Sequence, residues 1–231
     1  MLKNVRLGAL SFILLFFFPI ASLPQKNEAK PNATKILSAV ESSTQKSPRI
    51  RAAFTQSYTH HIFKKKEVSK GTLFFEKPAH MRWDYESPTR KSFIFDANTI
   101  TLIRFDTEET TLYPCLSNDI LNYALPFMLG KGELLKTFEL VQSEWHTQDQ
   151  VRYAEITLKP KVSSHNLKRI SLLIDVAQKQ IRASTLIDAQ NNVNYFKFES
   201  LDLNPTFNRS IFKERGPSNF RVSTVKTQCK S

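Results

Sequence analysis

The clearest pattern of hydrophobic and polar positions lies between residues 71 and 88, where two alternating segments flank a Lys77-Pro78 turn. In a strand every second side chain points to the same face, so alternation assigns each residue to one side of a sheet. The segments therefore predict a β-hairpin with one apolar face and one face in water. An ordinary β core explains the apolar face as readily as a binding surface does. The apolar face takes Leu73, Phe75, Met81, Trp83 and Tyr85, and the other face takes Thr72, Phe74, Glu76, Arg82, Asp84 and Glu86.

Similar alternation recurs from residue 50 onward and predicts about eleven strands joined by short polar turns. Residues 118–135 interrupt it with short helical stretches around Pro126, Gly130 and Gly132. Antiparallel strands with one helical interruption are typical of a barrel or a strongly curved sheet. The predicted strands are 51–62, 71–76, 81–85, 91–96, 99–105, 110–113, 138–143, 151–159, 167–175, 180–188 and 194–203.

One helix is predicted before the first strand. Thr34 is the expected N-cap, and Ile36, Leu37 and Val40 recur at helical spacing before the chain reaches Pro48. Because the apolar stripe of this helix is narrow, we expect it to cover a surface rather than to form a core by itself.

The first 22 residues have the order of a secretory signal peptide: basic Lys3 and Arg6, an apolar run over 7–20, then small Ala21 and Ser22. A retained membrane helix is the weaker interpretation, because the run contains glycine and proline and no stop-transfer flank follows it. No cysteine lies near the expected cleavage site, so we expect a soluble exported product without a lipid anchor. The remainder is expected to form a flexible leader at 23–33, a single domain at 34–225 and a C-terminal tail at 226–231.

The chain is basic, with a formal charge of +12 that the removal of Lys3 and Arg6 lowers by two, to +10. The three lysines at 64–66 are explained by a solvated hairpin turn, and the functional alternative is attraction to an anionic membrane surface or an acidic partner. Nucleic acid is not an expected partner, since the chain is expected to be exported and its basic charge is not accompanied by a zinc, helix-turn-helix or RNA-binding signature.

Aromatic residues are numerous, with 18 Phe, six Tyr and two Trp. A closed eight-stranded barrel would be filled by such side chains. A wider, incompletely closed sheet could not fill itself and would leave a cavity for helices or a ligand.

Motifs for catalysis are missing from the sequence. Adjacent His60 and His61 point to opposite sides of a strand, and no histidine pairs with another ligand at metal-binding spacing. The chain has no nucleophile elbow, Walker loop or dinucleotide-binding glycine motif. We therefore expect a binder rather than an enzyme, with no cofactor and no metal. Cys115 and Cys229 either form one disulfide in an oxidising compartment or remain apart if the C-terminal tail is disordered.

A series of short motifs follows a fixed order over nearly the whole mature chain: 54–56 (FTQ), 71–78 (GTLFFEKP), 82–85 (RWDY), 96–99 (DANT), 126–129 (PFML), 158–161 (LKPK), 194–198 (NYFKF), 204–205 (NP), 211–212 (IF) and Pro217. In this order the series resembles the LolA family of periplasmic lipoprotein carriers. The resemblance implies a mainly β, α+β fold: an open, incomplete antiparallel β-barrel with a helical lid over a hydrophobic cavity.

The resemblance also implies a non-enzymatic task. A monomeric carrier in the periplasm would accept the acyl chains of lipoproteins from an inner-membrane ABC transporter and deliver them to an acceptor in the outer membrane. The alternative is a LolA-like module that binds another lipid or a glycolipid, or that senses envelope stress.

Site residues follow from the resemblance together with the predicted faces. Lys77 lies where family members commonly have an arginine that hydrogen-bonds to the lid; lysine keeps the charge but loses the bidentate geometry, so the lid is expected to be latched less firmly or differently. Gly130 and Ser184 replace apolar lid contacts of some members. The lid is assigned to Ile36, Val40, Phe127 and Met128. The lipid-cavity wall is assigned to Phe54, Leu73, Phe75, Met81, Trp83, Tyr85, Leu129, Ile156, Leu158, Ile170, Leu172, Phe196 and Phe198.

Overall fold

The computed structural model describes residues 29–78, 80–96, 99–114, 134–162 and 167–225. The predicted signal peptide at 1–22 and both cysteines, Cys115 and Cys229, lie outside these residues. The helices are α1 (Ala33–Gln45), α2 (Leu134–Thr137) and the 3₁₀ helix η1 (Arg209–Lys213). The strands are β1 (Arg49–Thr59), β2 (Lys66–Glu76), β3 (His80–Ser87), β4 (Lys91–Asp96), β5 (Thr99–Arg104), β6 (Glu109–Pro114), β7 (Phe138–Gln148), β8 (Val151–Pro160), β9 (Arg169–Asp175), β10 (Gln180–Ile187), β11 (Val193–Asp202) and β12 (Arg221–Thr224).

The twelve strands form one open sheet in the order β12-β6-β5-β4-β3-β2-β1-β11-β10-β9-β8-β7. Strands β12 and β7 form its two edges, so the sheet is an incomplete barrel, as predicted. Neighbouring strands are antiparallel except β12 and β6, which run parallel. The prediction of about eleven antiparallel strands missed β12, because four exposed residues carry no alternation of apolar and polar side chains.

Helix α1 begins two residues earlier than expected. The side chain of Asn32, not Thr34, caps it by accepting a hydrogen bond from the backbone N–H of Lys35 at 3.0 Å. The helix ends at Gln45, shortly before Pro48, as the restriction that proline places on the preceding residue favours.

The described residues just before α1 contact the sheet. Ser143 Oγ donates to the carbonyl of Pro31 at 3.0 Å, and Trp145 Nε1 donates to the carbonyl of Ala29 at 2.9 Å. Both donors lie on β7, so the described end of the predicted leader, residues 29–32, is bound to the edge of the sheet.

Apolar side chains on the inner face of the sheet, which α1 covers, pack in two groups. The first lies beneath α1, where Leu37 and Val40 pack with the buried residues of β8 and β9. The second lies in the other half of the sheet and is built on strands β1 to β4, with aromatic residues of β11 against it. Strand alternation accounts for both groups, since each strand contributes every second residue to this face.

Glycine is required at position 71, where β2 and β3 come unusually close. A Cβ atom on Gly71 would lie 2.0 Å from the carbonyl oxygen of Asp84 and 2.9 Å from the ring of Phe54. The close approach coincides with a register shift between Lys70 and Gly71 in the β2–β3 ladder, and it lets the ring of Phe54 pack under β3.

The outer face of the β2–β3 hairpin was predicted to be in water, and this prediction is wrong for Phe74, Glu76 and Arg82, although Glu86 is exposed. The C-terminal segment at 204–220 covers it: Phe74 packs edge-on against Phe207, with ring centroids 5.6 Å apart, and Phe212 is fully buried beside Ile94. Alternation identified the two faces correctly. A short sequence pattern, however, contains no information about a segment that lies about 130 residues further along the chain and packs back onto the hairpin.

Polar residues on this outer face hold the C-terminal segment in place. Arg82 donates to the carbonyl of Ile211 at 2.8 Å and forms ion pairs with Asp84 at 2.8 Å and Glu214 at 2.6 Å. Burial alone would lower the pKa of Arg82, but Glu214 and Asp84 outweigh it, and the pKa lies above its ordinary value. Arg82 therefore stays charged and pins the segment to β3.

Candidate functional site

A cavity of about 330 Å³ lies between the C-terminal half of α1 and the inner face of the sheet. Its walls come from both halves of the chain: α1 and β1, β3, β4 and β5 on one side, and β9, β10 and β11 on the other. Because strands β1 and β11 are adjacent in the sheet, these distant segments meet at one place. Its position under a helix and its apolar wall are typical of a site for a small apolar ligand.

The lining is apolar and aromatic, with few polar groups. The apolar and aromatic residues are Val40, Ile50, Met81, Trp83, Tyr85, Phe93, Ile94, Phe95, Ile100, Leu172, Ile181, Leu186, Phe196, Phe198, Leu201 and Leu203. The remaining lining residues are Thr44, Lys179, Gln180, Ser184 and Asn194. Two of these polar side chains make internal hydrogen bonds, because the Thr44 hydroxyl donates to the carbonyl of Val40 at 3.0 Å and Asn194 accepts from Gln56 at 2.8 Å. Such a wall favours hydrocarbon over polar or charged ligands.

A cluster of aromatic rings supports the wall from beneath. The buried ring of Phe54 lies 5.0 Å from Trp83 and 5.2 Å from Tyr85, both edge-on, and 6.0 Å from Phe196. Trp83 on β3 and Phe196 on β11 also contact each other, with ring centroids 5.3 Å apart. Edge-on aromatic pairs hold ring orientation as well as adding burial, so Phe54 positions the rings that line the cavity.

Six of the residues assigned to the cavity wall from sequence do line it, and so does the lid residue Val40. The six are Met81, Trp83, Tyr85, Leu172, Phe196 and Phe198.

The other described residues of that assignment lie deeper. They are buried in the two core groups and support the cavity rather than line it: Phe54, Leu73, Phe75, Ile156, Leu158, Ile170 and the lid residue Ile36. Leu129, Phe127 and Met128 lie outside the described residues.

Sequence reasoning missed several lining residues that alternation could have identified. In β4, Phe93 pairs with Trp83 and Phe95 pairs with Met81, so both extend the same face across one more strand. Ile50, at the start of β1, and Leu201 and Leu203, at the end of β11 and just beyond it, are harder to find. Their place in the wall depends on the pairing of strands that are far apart in sequence.

Lys77 contacts the end of α1. Its ammonium donates to the carbonyl of Thr44 at 2.9 Å and to the carbonyl of Gln45 at 2.7 Å. These carbonyls belong to the last turn of a helix whose own last turn contains no basic residue, so the lysine supplies the positive charge that a helix C-terminus favours. Burial lowers the pKa of Lys77 below its ordinary value.

Tyr85 is a residue of the cavity wall whose pKa is changed by burial. Burial raises the pKa of its hydroxyl to about 12, so the ring remains uncharged up to strongly alkaline pH. The ammonium of Lys91 lies 4.9 Å from the centre of the same ring, at the end of the cavity wall.

Across the described ranges, no group of three or more His, Cys, Asp or Glu side chains is arranged to hold a metal ion. In the same ranges, none of the helices combines the length and the hydropathy that a membrane-spanning segment needs.

Comparisons with known proteins agree on one family. The family model described as outer membrane lipoprotein carrier protein LolA matches residues 45–215. An outer-membrane lipoprotein carrier protein of Nitrosospira multiformis is 24% identical over 189 residues, covering 80% of this chain and 87% of the relative. One of Nitrosomonas europaea is 21% identical over 213 residues, covering 92% of this chain and 97% of the relative.

A solved structure has a similar fold. The crystal structure of an uncharacterized conserved protein from Thermus thermophilus superposes with a TM-score of 0.55 at 12% identity, covering 84% of this chain and 100% of that one. At this identity the likeness concerns the fold alone.

Proposed function

Because this chain belongs to the LolA family of outer membrane lipoprotein carrier proteins, we propose that it shelters the acyl chains of lipoproteins in the cavity under α1 and carries them across the periplasm. The observation that supports this function is the apolar, aromatic wall of a cavity that opens between a helix and an incomplete barrel. No catalytic step is part of the proposal.

The energetic need for such a cavity follows from the cargo. An acyl chain of about 15 methylenes costs on the order of 12 kcal/mol to expose to water, at about 0.8 kcal/mol for each methylene. A lipoprotein released from a membrane therefore needs an apolar shelter during its passage through water. Trp83, Phe196 and Phe198 offer large apolar surfaces for that purpose.

The volume of the cavity bears on how cargo enters. At about 330 Å³ it lies at the small end of the range for ligand pockets, roughly 300–1,000 Å³. A lipoprotein with more than one acyl chain therefore requires α1 to move away from the sheet. In this proposal Lys77 is the latch that holds the C-terminal end of α1 in the closed position.

The route of the cargo follows the family. We propose that the chain is exported by its N-terminal signal peptide, acts as a monomer, receives lipoproteins from an inner-membrane ABC transporter and delivers them to an acceptor in the outer membrane.

The experiment supplies the processed protein to inner membranes that contain a lipoprotein, its ABC transporter and ATP. We expect lipoprotein to leave the membranes and to remain in the supernatant as a complex with the carrier. A photo-crosslinking residue in place of Met81, in the cavity wall, should give an adduct with the lipoprotein. The same residue in place of the exposed Val222, on edge strand β12, is the matched control and should give none.

Mass spectrometry of the adduct and of lipid that co-purifies with the protein separates the outcomes. Lipoprotein in both samples supports the proposal. A phospholipid or glycolipid at Met81 with no lipoprotein released from the membranes would instead favour the LolA-like module with other cargo.

A further inference from the structure

The turn between β1 and β2, residues 60–65, presents two large apolar side chains to water. Ile62 is 74% exposed and Phe63 is 76% exposed, which places them among the most exposed apolar residues of the described chain. We call residues 60–66 the hairpin tip. A solvated turn explains the lysines of this segment, but it does not explain an isoleucine and a phenylalanine side by side on the surface.

The hairpin tip is an ordered turn. The backbone N–H of His60 donates to the carbonyl of Lys65 at 2.9 Å, and His60 Nδ1 accepts from the backbone N–H groups of Ile62 at 3.3 Å and Phe63 at 3.4 Å. The rings of His60 and Phe63 also contact each other, with centroids 4.7 Å apart. The two apolar side chains are therefore held in a defined position outside the sheet.

The hairpin tip also projects beyond a neighbouring strand. Strand β3 ends at Ser87, which pairs with Lys70, so residues 66–69 of β2 extend past it. Four residues of strand span about 13 Å. On the other side the backbone N–H of His61 donates to Asn192 Oδ1 at 2.9 Å, which supports the base of the projection against the turn between β10 and β11.

Charge at the hairpin tip is positive. Lys64, Lys65 and Lys66 follow Phe63 directly and are all exposed. The neighbouring carboxylate Glu67 forms an ion pair with Lys65 at 2.9 Å, which leaves the other two lysines in excess. An apolar pair next to a lysine run combines the two features that bind a protein to the surface of an anionic bilayer: insertion at the headgroup boundary and attraction to negative lipids.

We propose that the hairpin tip is a membrane-contact site, in which Ile62 and Phe63 enter the interface of a bilayer that contains anionic phospholipid and Lys64, Lys65 and Lys66 lie among its headgroups. The site is separate from the cavity, because none of these five residues lines it. The proposal does not rest on the identity of the cargo.

The test measures binding of the processed protein, with its N-terminus verified by mass spectrometry, to sedimented lipid vesicles. One set contains phosphatidylcholine alone and the other contains phosphatidylglycerol as well; neither contains lipoprotein. We expect binding to the anionic vesicles that weakens as salt is added. Lys64→Gln, Lys65→Gln and Lys66→Gln together should lower the partition coefficient on the order of 100-fold, since each lysine near such a surface contributes about fivefold. Ile62→Ser with Phe63→Ser should lower it at least about tenfold.

Matched controls change the same chemistry elsewhere. Val222→Ser removes an apolar side chain that is 57% exposed on β12, and Lys35→Gln, Lys46→Gln and Lys213→Gln together remove three exposed charges far from the hairpin tip. Both controls should keep most of the binding. Cavity occupancy is followed in every variant by the change in tryptophan fluorescence with an apolar dye, which the hairpin-tip variants should retain.

Three results would overturn the proposal. They are a wild-type protein that fails to sediment with anionic vesicles, hairpin-tip variants that bind as the wild type does, and a charge control that loses as much binding as the tip variant. If vesicle binding were unchanged in the tip variants but crosslinking from Phe63 to a membrane protein were found in cells, the hairpin tip would be a protein-docking site instead. If the wild-type protein bound anionic vesicles but did not bind the apolar dye, the result would count against the proposed cargo function alone.

Discussion

Tyr85 shows how a polar side chain can serve as part of an apolar wall. Its ring packs edge-on against Phe54 at 5.2 Å and Phe93 at 5.9 Å, and burial raises the pKa of its hydroxyl to about 12. Because an ionised phenolate in this position would lose its hydration, the neutral form is favoured well above physiological pH. The ring therefore contributes apolar surface to the cavity up to strongly alkaline pH.

This pKa shift predicts a specific loss of stability at alkaline pH. Tyr85 ionises near pH 10 in the unfolded chain and near pH 12 in the folded one, so its contribution is fully present below pH 10 and is lost as the pH rises towards 12. Urea unfolding at pH 8 and pH 11 should show that Tyr85→Phe loses about 1 kcal/mol less free energy of unfolding than the wild type over this interval. Equal losses in the two proteins would contradict the prediction.

The same scale shows what alternation in a sequence can and cannot establish. Met81, Trp83 and Tyr85 were assigned to one face from their spacing, and they lie on one face. Phe54, Leu73 and Phe75 were assigned to the cavity with them but are buried beneath it. Period-two spacing fixes the direction of a side chain but not its depth, because depth depends on what the neighbouring strands place over it.

At the scale of elements, helix α1 is held at its C-terminal end by a residue from another element. Lys77 follows β2 and donates to the carbonyls of Thr44 and Gln45, while Val40 and Thr44 form part of the cavity wall. The position of the helix over the cavity is thus coupled to one charged side chain. In the proposed function this contact resists opening of the cavity.

Lys77→Met should weaken that contact. We expect the amides of α1 to exchange hydrogen faster and the free energy of unfolding to fall by about 1 kcal/mol, a value reduced for the partial exposure of the ammonium. Lys77→Arg is the matched control, since it keeps a cationic donor at the helix end and should keep exchange near that of the wild type. The exchange rates of the α1 amides are measured by mass spectrometry. Unchanged rates in Lys77→Met would show that the contact does not restrain the helix.

Elements differed in how well their sequence predicted them. The strands at the centre of the sheet were predicted because they alternate clearly, but the first strand was expected to reach Ile62 and ends at Thr59. The turn begins there because His60 binds the backbone of Ile62 and Phe63, an interaction that strand propensity does not describe. Strand β12 depends on parallel pairing with β6, and its four residues predict nothing by themselves.

At the scale of the whole molecule, the C-terminal segment completes the fold from outside. Phe207 and Phe212 pack together with centroids 5.8 Å apart, and Arg49 donates to the carbonyl of Phe207 at 3.2 Å. Phe212 is fully buried on the outer face, on the side of the sheet opposite to the cavity. The segment stabilises the sheet without forming any of the cavity wall.

Phe212→Ala tests whether the C-terminal segment stabilises the sheet without affecting the cavity. Loss of a fully buried ring should lower the free energy of unfolding by about 3–5 kcal/mol and make residues 204–220 more susceptible to limited proteolysis. Where the protein remains folded, it should still bind an apolar dye in the cavity. Val222→Ala, at an exposed position just beyond that segment, should change neither stability nor proteolysis appreciably. Dye affinity that falls in Phe212→Ala while the sheet remains intact would show that the two faces are coupled.

The pairing of β1 with β11 has a kinetic consequence. Arg51 lies opposite Asp202, so the two strands that join the halves of the cavity are adjacent in space but separated along the sequence by most of the domain. Closing a loop over so large a sequence separation is slow, because its entropy cost comes before the contacts between the two strands can form. An emerging chain can form the β1–β2 hairpin early, but it has no cavity until β11 arrives near the end of synthesis. Apolar surface that later shelters a ligand is therefore exposed throughout that interval, and it is during this interval that the chain is most open to aggregation.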